Sequence, residues 1–106
     1  MTAQEKIIVK KFKSLVSKKI PLHQVILFGS RARGDADPDS DMDILVVSEY
    51  PLSTEQHDYV SEAAWEAGFK YGLVIVPVVY SLDEWENGPE HFSLLARAVA
   101  QEGIEV

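Results

Sequence analysis

Residues 25–47 read VILFGSRARGDADPDSDMDILVV, and this stretch decides the fold. Two short apolar runs, 25–28 and 44–47, flank a polar segment that is rich in glycine, arginine and aspartate. Short apolar runs bounded by turn residues are typical of buried β-strands. The Gly, Ser, Asp and Pro residues of segment 29–40 favour a loop, with room for one helical turn. The stretch therefore predicts two strands that are joined by a polar loop.

Two helices are predicted from capping-box patterns, in which the first and fourth residues cap each other. Thr2–Glu5 has this form, and apolar residues at helical spacing then indicate a helix over about 3–19, ended by Pro21. Residues 53–56 repeat the pattern and indicate a second helix with Gly68 near its end. The buried face of the second helix is predicted to contain Val60, Ala63, Ala64 and Ala67.

The C-terminal third predicts one strand and two helices. Residues 73–80 are rich in β-branched side chains, and Pro77 favours either a position at the edge of the sheet or a bulge, because proline cannot donate a ladder hydrogen bond. A short helix should begin after Ser81, and a final helix should cover 90–102. The apolar face of that final helix is predicted to consist of Phe92, Leu95, Ala96 and Val99. The predicted order is α-β-β-α-β-α-α, an α/β (α+β) fold with helices packed on a small mixed β-sheet.

Length and composition are those of one small globular domain covering residues 1–106. The chain has no cysteine, which excludes disulfides and thiolate metal sites, and a cytoplasmic location is expected. No apolar run is long enough for a membrane helix, and the lysine-rich N-terminus does not have the form of a signal peptide.

Charge is divided unevenly along the chain. The net charge is −7, but residues 1–20 carry six lysines against one glutamate, so 21–106 carry the remaining −12. The basic segment is interpreted as a solvated helix face, although contact with nucleic acid or with an acidic partner is the alternative. The acidic remainder argues against nucleic acid covering most of the surface.

The polar loop has the residues that phosphate binding requires. Gly29 allows a sharp turn and a close approach of the backbone to a ligand. Ser30 and the amides that follow it can donate hydrogen bonds to phosphate oxygens. Arg31 and Arg33 add charge-assisted donors, with surface ion pairs to nearby aspartates as the alternative. The loop is therefore predicted to bind a polyphosphate.

Asp41 and Asp43 are two residues apart at the start of the second strand. Side chains at this spacing lie on the same face of a strand, where two carboxylates repel each other unless a cation lies between them. Mg²⁺ binds one or two carboxylates together with substrate phosphates. A phosphate-binding loop beside such a pair predicts phosphoryl or nucleotidyl transfer.

The spacing Gly-Ser, ten residues, Asp-x-Asp resembles the signature of the polymerase-beta-type nucleotidyltransferase superfamily, and the string over 29–47 is similar to its minimal nucleotidyltransferase (MNT) branch. The resemblance implies the small nucleotidyltransferase core. It also implies that Gly29 and Ser30 hold the triphosphate of ATP or another nucleoside triphosphate, and that Asp41 and Asp43 bind Mg²⁺ and support catalysis.

For function, the resemblance implies transfer of a nucleoside monophosphate, AMP from ATP, to an acceptor hydroxyl. It further implies an antitoxin role, in which an MNT protein pairs with a helical HEPN ribonuclease toxin and silences it by adding AMP to a tyrosine. A small molecule such as an aminoglycoside is a further candidate acceptor, and a homodimer is left open.

One departure from the superfamily pattern concerns the third carboxylate, which its members usually carry on a later strand. Residues 73–80 contain no Asp or Glu, and Asp83 or Glu84, just beyond them, are candidates to replace it. The alternative function is therefore a catalytically degenerate antitoxin or interaction module that acts by binding its partner. Trp65, Tyr71 and Trp85 are expected in the core or in a partner interface rather than against a base.

Overall fold

A computed structural model describes the backbone of residues 1–106 and every side chain except those of Glu90 and Phe92. In chain order, the elements are α1 (Ala3–Ser17), β1 (Leu22–Phe28), α2 (Ser30–Arg33), β2 (Met42–Ser48), α3 (Thr54–Phe69), β3 (Ile75–Ser81), α4 (Leu82–Asn87), a 3₁₀ turn (Pro89–Phe92), α5 (Leu94–Glu102) and β4 (Ile104–Glu105). The α/β fold class is confirmed, and the single helical turn allowed for within segment 29–40 is α2.

Both predicted capping boxes form. The Thr2 hydroxyl accepts a hydrogen bond from the Glu5 amide at 3.1 Å, and the Glu5 carboxylate accepts one from the Thr2 amide at 2.7 Å. Ser53 and Gln56 cap α3 in the same reciprocal way, at 3.2 and 2.9 Å. These bonds satisfy amides that have no partner within the helix, so both helices begin where the sequence pattern indicates.

The sheet is mixed, as predicted, with the strand order β3-β2-β1-β4. β1 and β2 are antiparallel and pair Phe28 with Asp43, whereas β2 and β3 are parallel and pair Asp43 with Val76. β3 lies at one edge, which confirms the position predicted from Pro77. The N-terminal end of β2 therefore lies between the end of β1 and the start of β3.

Several predicted boundaries were wrong. β1 begins three residues before Val25, and β3 begins two residues after Leu73. The predicted helix over 90–102 is broken, because Ser93 caps a new helix by accepting a hydrogen bond from the Ala96 amide at 3.1 Å. The prediction that Phe92 shares the apolar face of that helix lies outside the described residues.

β4 was not predicted. This two-residue strand pairs Ile104 with Leu27 and Glu105 with Ile26, across most of the chain length. Two residues are too few to show the alternation of apolar and polar side chains that predicts a strand. β4 forms because β1 has an open edge with which it can pair.

Both faces of the sheet are covered, which explains the continuous apolar runs of the strands. On one face α1 and α3 pack over a core that includes Phe12, Leu27 and Ile44, and the predicted α3 face is buried there. On the other face Leu45 and Val99 belong to a smaller core. That smaller cluster consists of Ile26, Leu45, Val47 and Val99, with Phe28, Val78, Tyr80, Leu82, Trp85 and Leu95 packed against it.

The aromatic side chains do not all reach the core. Trp85 is half-buried against Tyr80, with ring centres 5.6 Å apart. Trp65 is 66% exposed, so the expectation that it fills the core was wrong, and a partner interface remains the other reading. Among the described residues, no helix has both the length and the apolar character needed to cross a bilayer.

Candidate active site

A tight turn follows β1 at the loop for which the sequence predicts phosphate binding. Gly29 has φ 78° and ψ −162°, and its carbonyl accepts hydrogen bonds from the amides of Ala32 and Arg33 at 3.0 and 3.1 Å. α2 is a single helical turn that ends at Gly34, whose φ is 82°. The amides of Ser30 and Arg31 open this turn, where an α-helix provides no internal acceptor. The turn can therefore present backbone donors beside the Ser30 hydroxyl.

The Asp43 carboxylate lies directly against the loop backbone. A Cβ atom placed on Gly29 would be 2.5 Å from Asp43 Oδ2, much closer than carbon and oxygen can approach without a bond. This contact follows from the strand register, which pairs Asp43 with Phe28, the residue before Gly29. Glycine at position 29 thus serves both the positive φ and the space that Asp43 occupies.

Asp41 and Asp43 lie on the same side of the chain. Met42 between them is fully buried on the opposite side, while Asp41 is exposed and Asp43 is half-buried. Burial and the Asp41 charge together raise the pKa of Asp43 above its ordinary value, and the Arg33 charge opposes them. The pair is therefore close enough to interact unfavourably, and a cation would relieve the repulsion.

The donors at this position fit Mg²⁺ better than a metal held entirely by protein. Among the described residues, no group of three or more His, Cys, Asp or Glu side chains is arranged to hold a metal. Mg²⁺ retains waters and takes substrate phosphates alongside one or two carboxylates. Asp41 and Asp43 beside a phosphate loop provide that set, with oxygen ligands only.

Arg31 holds the loop together. Its Nε and Nη2 donate to the Ser40 carbonyl at 3.1 and 2.8 Å, and Nη2 also donates to the Pro38 carbonyl at 2.9 Å. Its Nη1 donates to Glu5 Oε2 at 3.2 Å, with both side chains nearly buried. The guanidinium therefore links α1 to the residue before Asp41, and it fixes the carboxylate pair relative to the loop.

Arg33 remains half exposed beside Asp43. Its Nε donates to Asp35 Oδ2 at 3.2 Å, and its Nη1 donates to Glu102 Oε2 at 2.7 Å. Its side chain is 48% exposed, and its positive charge partly offsets the rise in the pKa of Asp43 that burial and Asp41 cause. The ion pair with Asp35 is of the kind that the sequence offered as the alternative role of Arg33. The Glu102 pair could not be foreseen, because it joins residues 69 positions apart.

The structure does not provide a third carboxylate through Asp83 or Glu84. β3 runs parallel to β2, and the residue that pairs with Asp43 is Val76. α4 follows Ser81 at the far end of β3, five positions beyond Val76 in the register and so about 17 Å away. Glu84 caps α4 through Ser81, and Asp83 accepts a hydrogen bond from Asn87. Neither can reach the Asp41–Asp43 pair.

The contribution of the Glu5–Arg31 contact to the stability of the fold should depend on pH. Burial by itself would raise the pKa of Glu5, but hydrogen bonds from Thr2 and Arg31 outweigh it and hold the pKa below its ordinary 4.5. Glu5 therefore stabilises the fold above about pH 4.5, and this contribution is lost as the pH falls through the lower folded-state value. We expect Glu5→Gln to destabilise the protein at pH 7 by about 1–3 kcal/mol, and by progressively less in acid.

Thermal unfolding across pH 3–7 measures this, with Glu62→Gln as the control, because Glu62 is an exposed helical glutamate. A constant difference between wild type and Glu5→Gln at every pH would contradict the ionic role of Glu5.

Comparison with known proteins identifies the family of the chain. The nucleotidyltransferase domain family matches residues 6–104. A Methanocaldococcus jannaschii protein that is named as a protein adenylyltransferase is 40% identical over 90 residues, which cover 76% of this chain and 90% of the relative. Haemophilus influenzae MntA, named likewise, is 31% identical over 87 residues, which cover 82% of this chain and 70% of that protein.

Solved structures share the fold. A toxin–antitoxin complex crystallised with AMP-PNP contains a chain that matches with a TM-score of 0.64 and 23% identity, over 98% of this chain and 72% of its own length. A complex of the tri-AMPylated Shewanella oneidensis HEPN toxin with its MNT antitoxin matches with a TM-score of 0.55 and 20% identity, over 96% and 70%. Because the family match extends over nearly the whole length, the chain belongs to the nucleotidyltransferase domain family.

Proposed function

We propose that this protein is a Mg²⁺-dependent protein adenylyltransferase of the cytoplasm, which moves AMP from ATP to a tyrosine of a HEPN-family toxin and so acts as its antitoxin. The observation that carries the proposal is the contact between Asp43 and Gly29. It brings the Asp41–Asp43 pair and the phosphate loop to one point, as nucleotidyl transfer requires.

In this proposal, the loop binds the nucleotide and the paired aspartates bind the metal. Ser30 and the first amides of α2 hold the triphosphate, while Gly29 allows it to approach the backbone. Asp41 and Asp43 hold Mg²⁺, which when bound supplies positive charge to the phosphates. Arg33 adds charge from its exposed position beside Asp43. Arg31 contributes to nucleotide binding through the loop that it orders.

The reaction forms a bond between the acceptor oxygen and the α-phosphorus of ATP. It breaks the bond between the α-phosphorus and the oxygen that bridges the α- and β-phosphates. Pyrophosphate therefore leaves with that oxygen, and the hydroxyl loses its proton. Val76 occupies the strand position beside Asp43, so the described residues offer no β3 carboxylate to receive that proton. Such transfers depend mainly on positioning and on charge stabilisation, and therefore tolerate a weak base. The acceptor proton passes to solvent in this scheme.

Two findings on other proteins support the acceptor class. The relatives that are 40% and 31% identical are named as protein adenylyltransferases. Two structural neighbours are toxin–antitoxin complexes, one crystallised with AMP-PNP and one with an AMPylated toxin.

Labelled ATP tests the proposal directly. The purified protein is incubated with Mg²⁺, a HEPN-family protein from the same genome, and ATP that is labelled at either the α- or the γ-phosphate. We expect label on the HEPN protein from α-labelled ATP only, and mass spectrometry should locate AMP on a tyrosine. Label from the γ-phosphate would identify a kinase instead. Absence of any transfer would overturn the enzymatic proposal.

The second candidate is an antitoxin that acts by contact alone, and Val76 in place of a carboxylate is the observation that favours it. The variant Asp41→Asn/Asp43→Asn separates the two candidates. Neutralisation of toxin ribonuclease activity by this variant, with no label transferred by the wild type, would support contact alone. Loss of both neutralisation and label in the variant supports the enzyme.

A further inference from the structure

An apolar groove lies between α3 and the edge strand β3, outside the nucleotide site. Its volume is about 570 Å³, and its wall is formed by Ser61, Ala64, Trp65, Phe69 and residues 72–77. Trp65 and Phe69 stack with ring centres 4.6 Å apart, yet each is 66% exposed, and Val74 opposite them is 59% exposed. Contiguous exposed apolar side chains of this kind mark an interaction surface rather than ordinary surface composition.

The edge of β3 is closed to a pairing strand. The Val74 carbonyl accepts a hydrogen bond from the Met42 amide. Backbone amides and carbonyls at even positions of β3 therefore face β2, and the backbone groups at odd positions, including Pro77, face the open edge. Proline has no amide hydrogen, so the open edge lacks a donor at its centre. The groove therefore favours a helix, which docks through side chains, over an added strand.

An acidic row borders the aromatic ridge on α3. Asp58, Glu62 and Glu66 are exposed at intervals of four residues, next to Trp65 and Phe69. Lys70 ends the row, where its ammonium group lies 5.8 Å from the Tyr71 ring centre. A second copy of this chain docked through the same face would bring two acidic rows together, which disfavours a homodimer here. The complementary partner is basic.

We propose that this groove docks a partner protein through an amphipathic helix whose apolar face is flanked by lysine or arginine. Val76 lines the groove and is the strand partner of Asp43, so the groove ends one strand away from the backbone of the site. Asp43 alternates with Met42 and Ile44, which pack beneath α3, so its side chain lies on the opposite face of the sheet from α3. A protein docked in the groove therefore has to extend around the β3 edge to present its acceptor hydroxyl to Asp43. This role in presenting the acceptor rests on the proposed function, whereas the docking itself does not.

Trp65 reports on its own burial once the other tryptophan is removed. In Trp85→Phe protein, Trp65 is the only tryptophan, and its emission is that of an exposed indole. The probe is a synthetic helical peptide of leucine and lysine, with a leucine–glutamate peptide of the same pattern as the control. We expect the lysine peptide to shift Trp65 emission to shorter wavelength with an affinity that falls as salt rises, and the glutamate peptide to cause no shift.

Charge reversal identifies the acidic row as the recognition element. Glu66→Lys should weaken binding of the lysine peptide at least about threefold at low salt, whereas Glu86→Lys on α4, an equal charge change elsewhere, should leave it unchanged. Equal effects of both variants, equal binding of both peptides, or binding without a shift in Trp65 emission would each overturn the proposal. A shift that depends on protein concentration in the absence of peptide would overturn it in favour of a second copy.

Two further variants keep this inference separate from the enzymatic one. Asp41→Asn/Asp43→Asn should bind the lysine peptide like its parent, even if AMP transfer is lost. Trp65→Ser/Phe69→Ser should bind ATP with Mg²⁺ normally and lose the peptide. Loss of ATP binding in the second variant would show that the groove belongs to the nucleotide site, and would contradict a separate docking surface.

Discussion

Asp43→Asn is expected to reduce AMP transfer at least about a thousandfold, the equivalent of about 4 kcal/mol in the activation barrier. Asparagine has nearly the same shape, so it fits the space beside Gly29 but removes the charge that would bind Mg²⁺ opposite the phosphates. Calorimetry should show weaker Mg²⁺–ATP binding, and the transfer assay should show the loss of rate. Asp41→Asn should act in the same direction.

The matched control is Asp39→Asn, which makes the same chemical change at an exposed position of the same loop. It should keep most of the transfer rate and of the Mg²⁺–ATP affinity. If Asp39→Asn and Asp43→Asn lowered the rate equally, the loss would reflect the general acidity of the loop, and the specific metal assignment would be wrong.

Gly29→Ala is expected to lower the transfer rate about a hundredfold or more, the scale of a displacement of about 1 Å in a reacting group. Its new methyl group would lie 2.5 Å from Asp43 Oδ2, so the carboxylate or the loop must move. The Gly29 backbone, with φ 78° and ψ −162°, lies in a region that is essentially restricted to glycine, so a side chain adds strain of about 1–3 kcal/mol, which thermal unfolding should detect.

Gly34→Ala separates the two causes. Gly34 has a similar φ of 82°, but a Cβ atom there would meet nothing within 4 Å. Because Gly34 lies in the left-handed helical region (ψ 13°), this variant should lose about 1–2 kcal/mol of stability from strain alone while it keeps most of the transfer rate. Similar activity losses in both variants would mean that backbone strain in the loop, rather than displacement of Asp43, is what damages the site.

The groove between α3 and β3 is expected to affect how the protein acceptor is positioned for transfer. A site with only two carboxylates and an open edge beside them depends on positioning, and positioning of a protein acceptor needs a surface. In the proposed docking, Trp65 and Phe69 provide that surface next to β3, the strand whose Val76 pairs with Asp43. Disrupting the groove should therefore raise the acceptor concentration needed for transfer more than it lowers the rate at saturation.

Local patterns were enough to predict much of the fold. The apolar runs, the Gly29 turn and the two capping boxes depend on residues within a few positions of each other, so their physics can be read from short windows of sequence. The spacing of Asp41 and Asp43 likewise fixed that both side chains lie on one face. The first residues of β1 and β3 were predicted wrongly, because where a strand begins depends on which residues of the neighbouring strand are available for pairing.

Contacts between distant parts of the chain were decided only by the tertiary structure. The sequence offered Arg31 as a phosphate ligand, but the fold directs its guanidinium to Glu5, 26 positions away, and to the loop. β4 exists because β1 leaves an edge open, and Asp83 lies too far from Asp43 because β2 and β3 run parallel. Hydrogen bonds and charge interactions act over a few ångströms in space, and a sequence specifies such distances only for residues that are close along the chain.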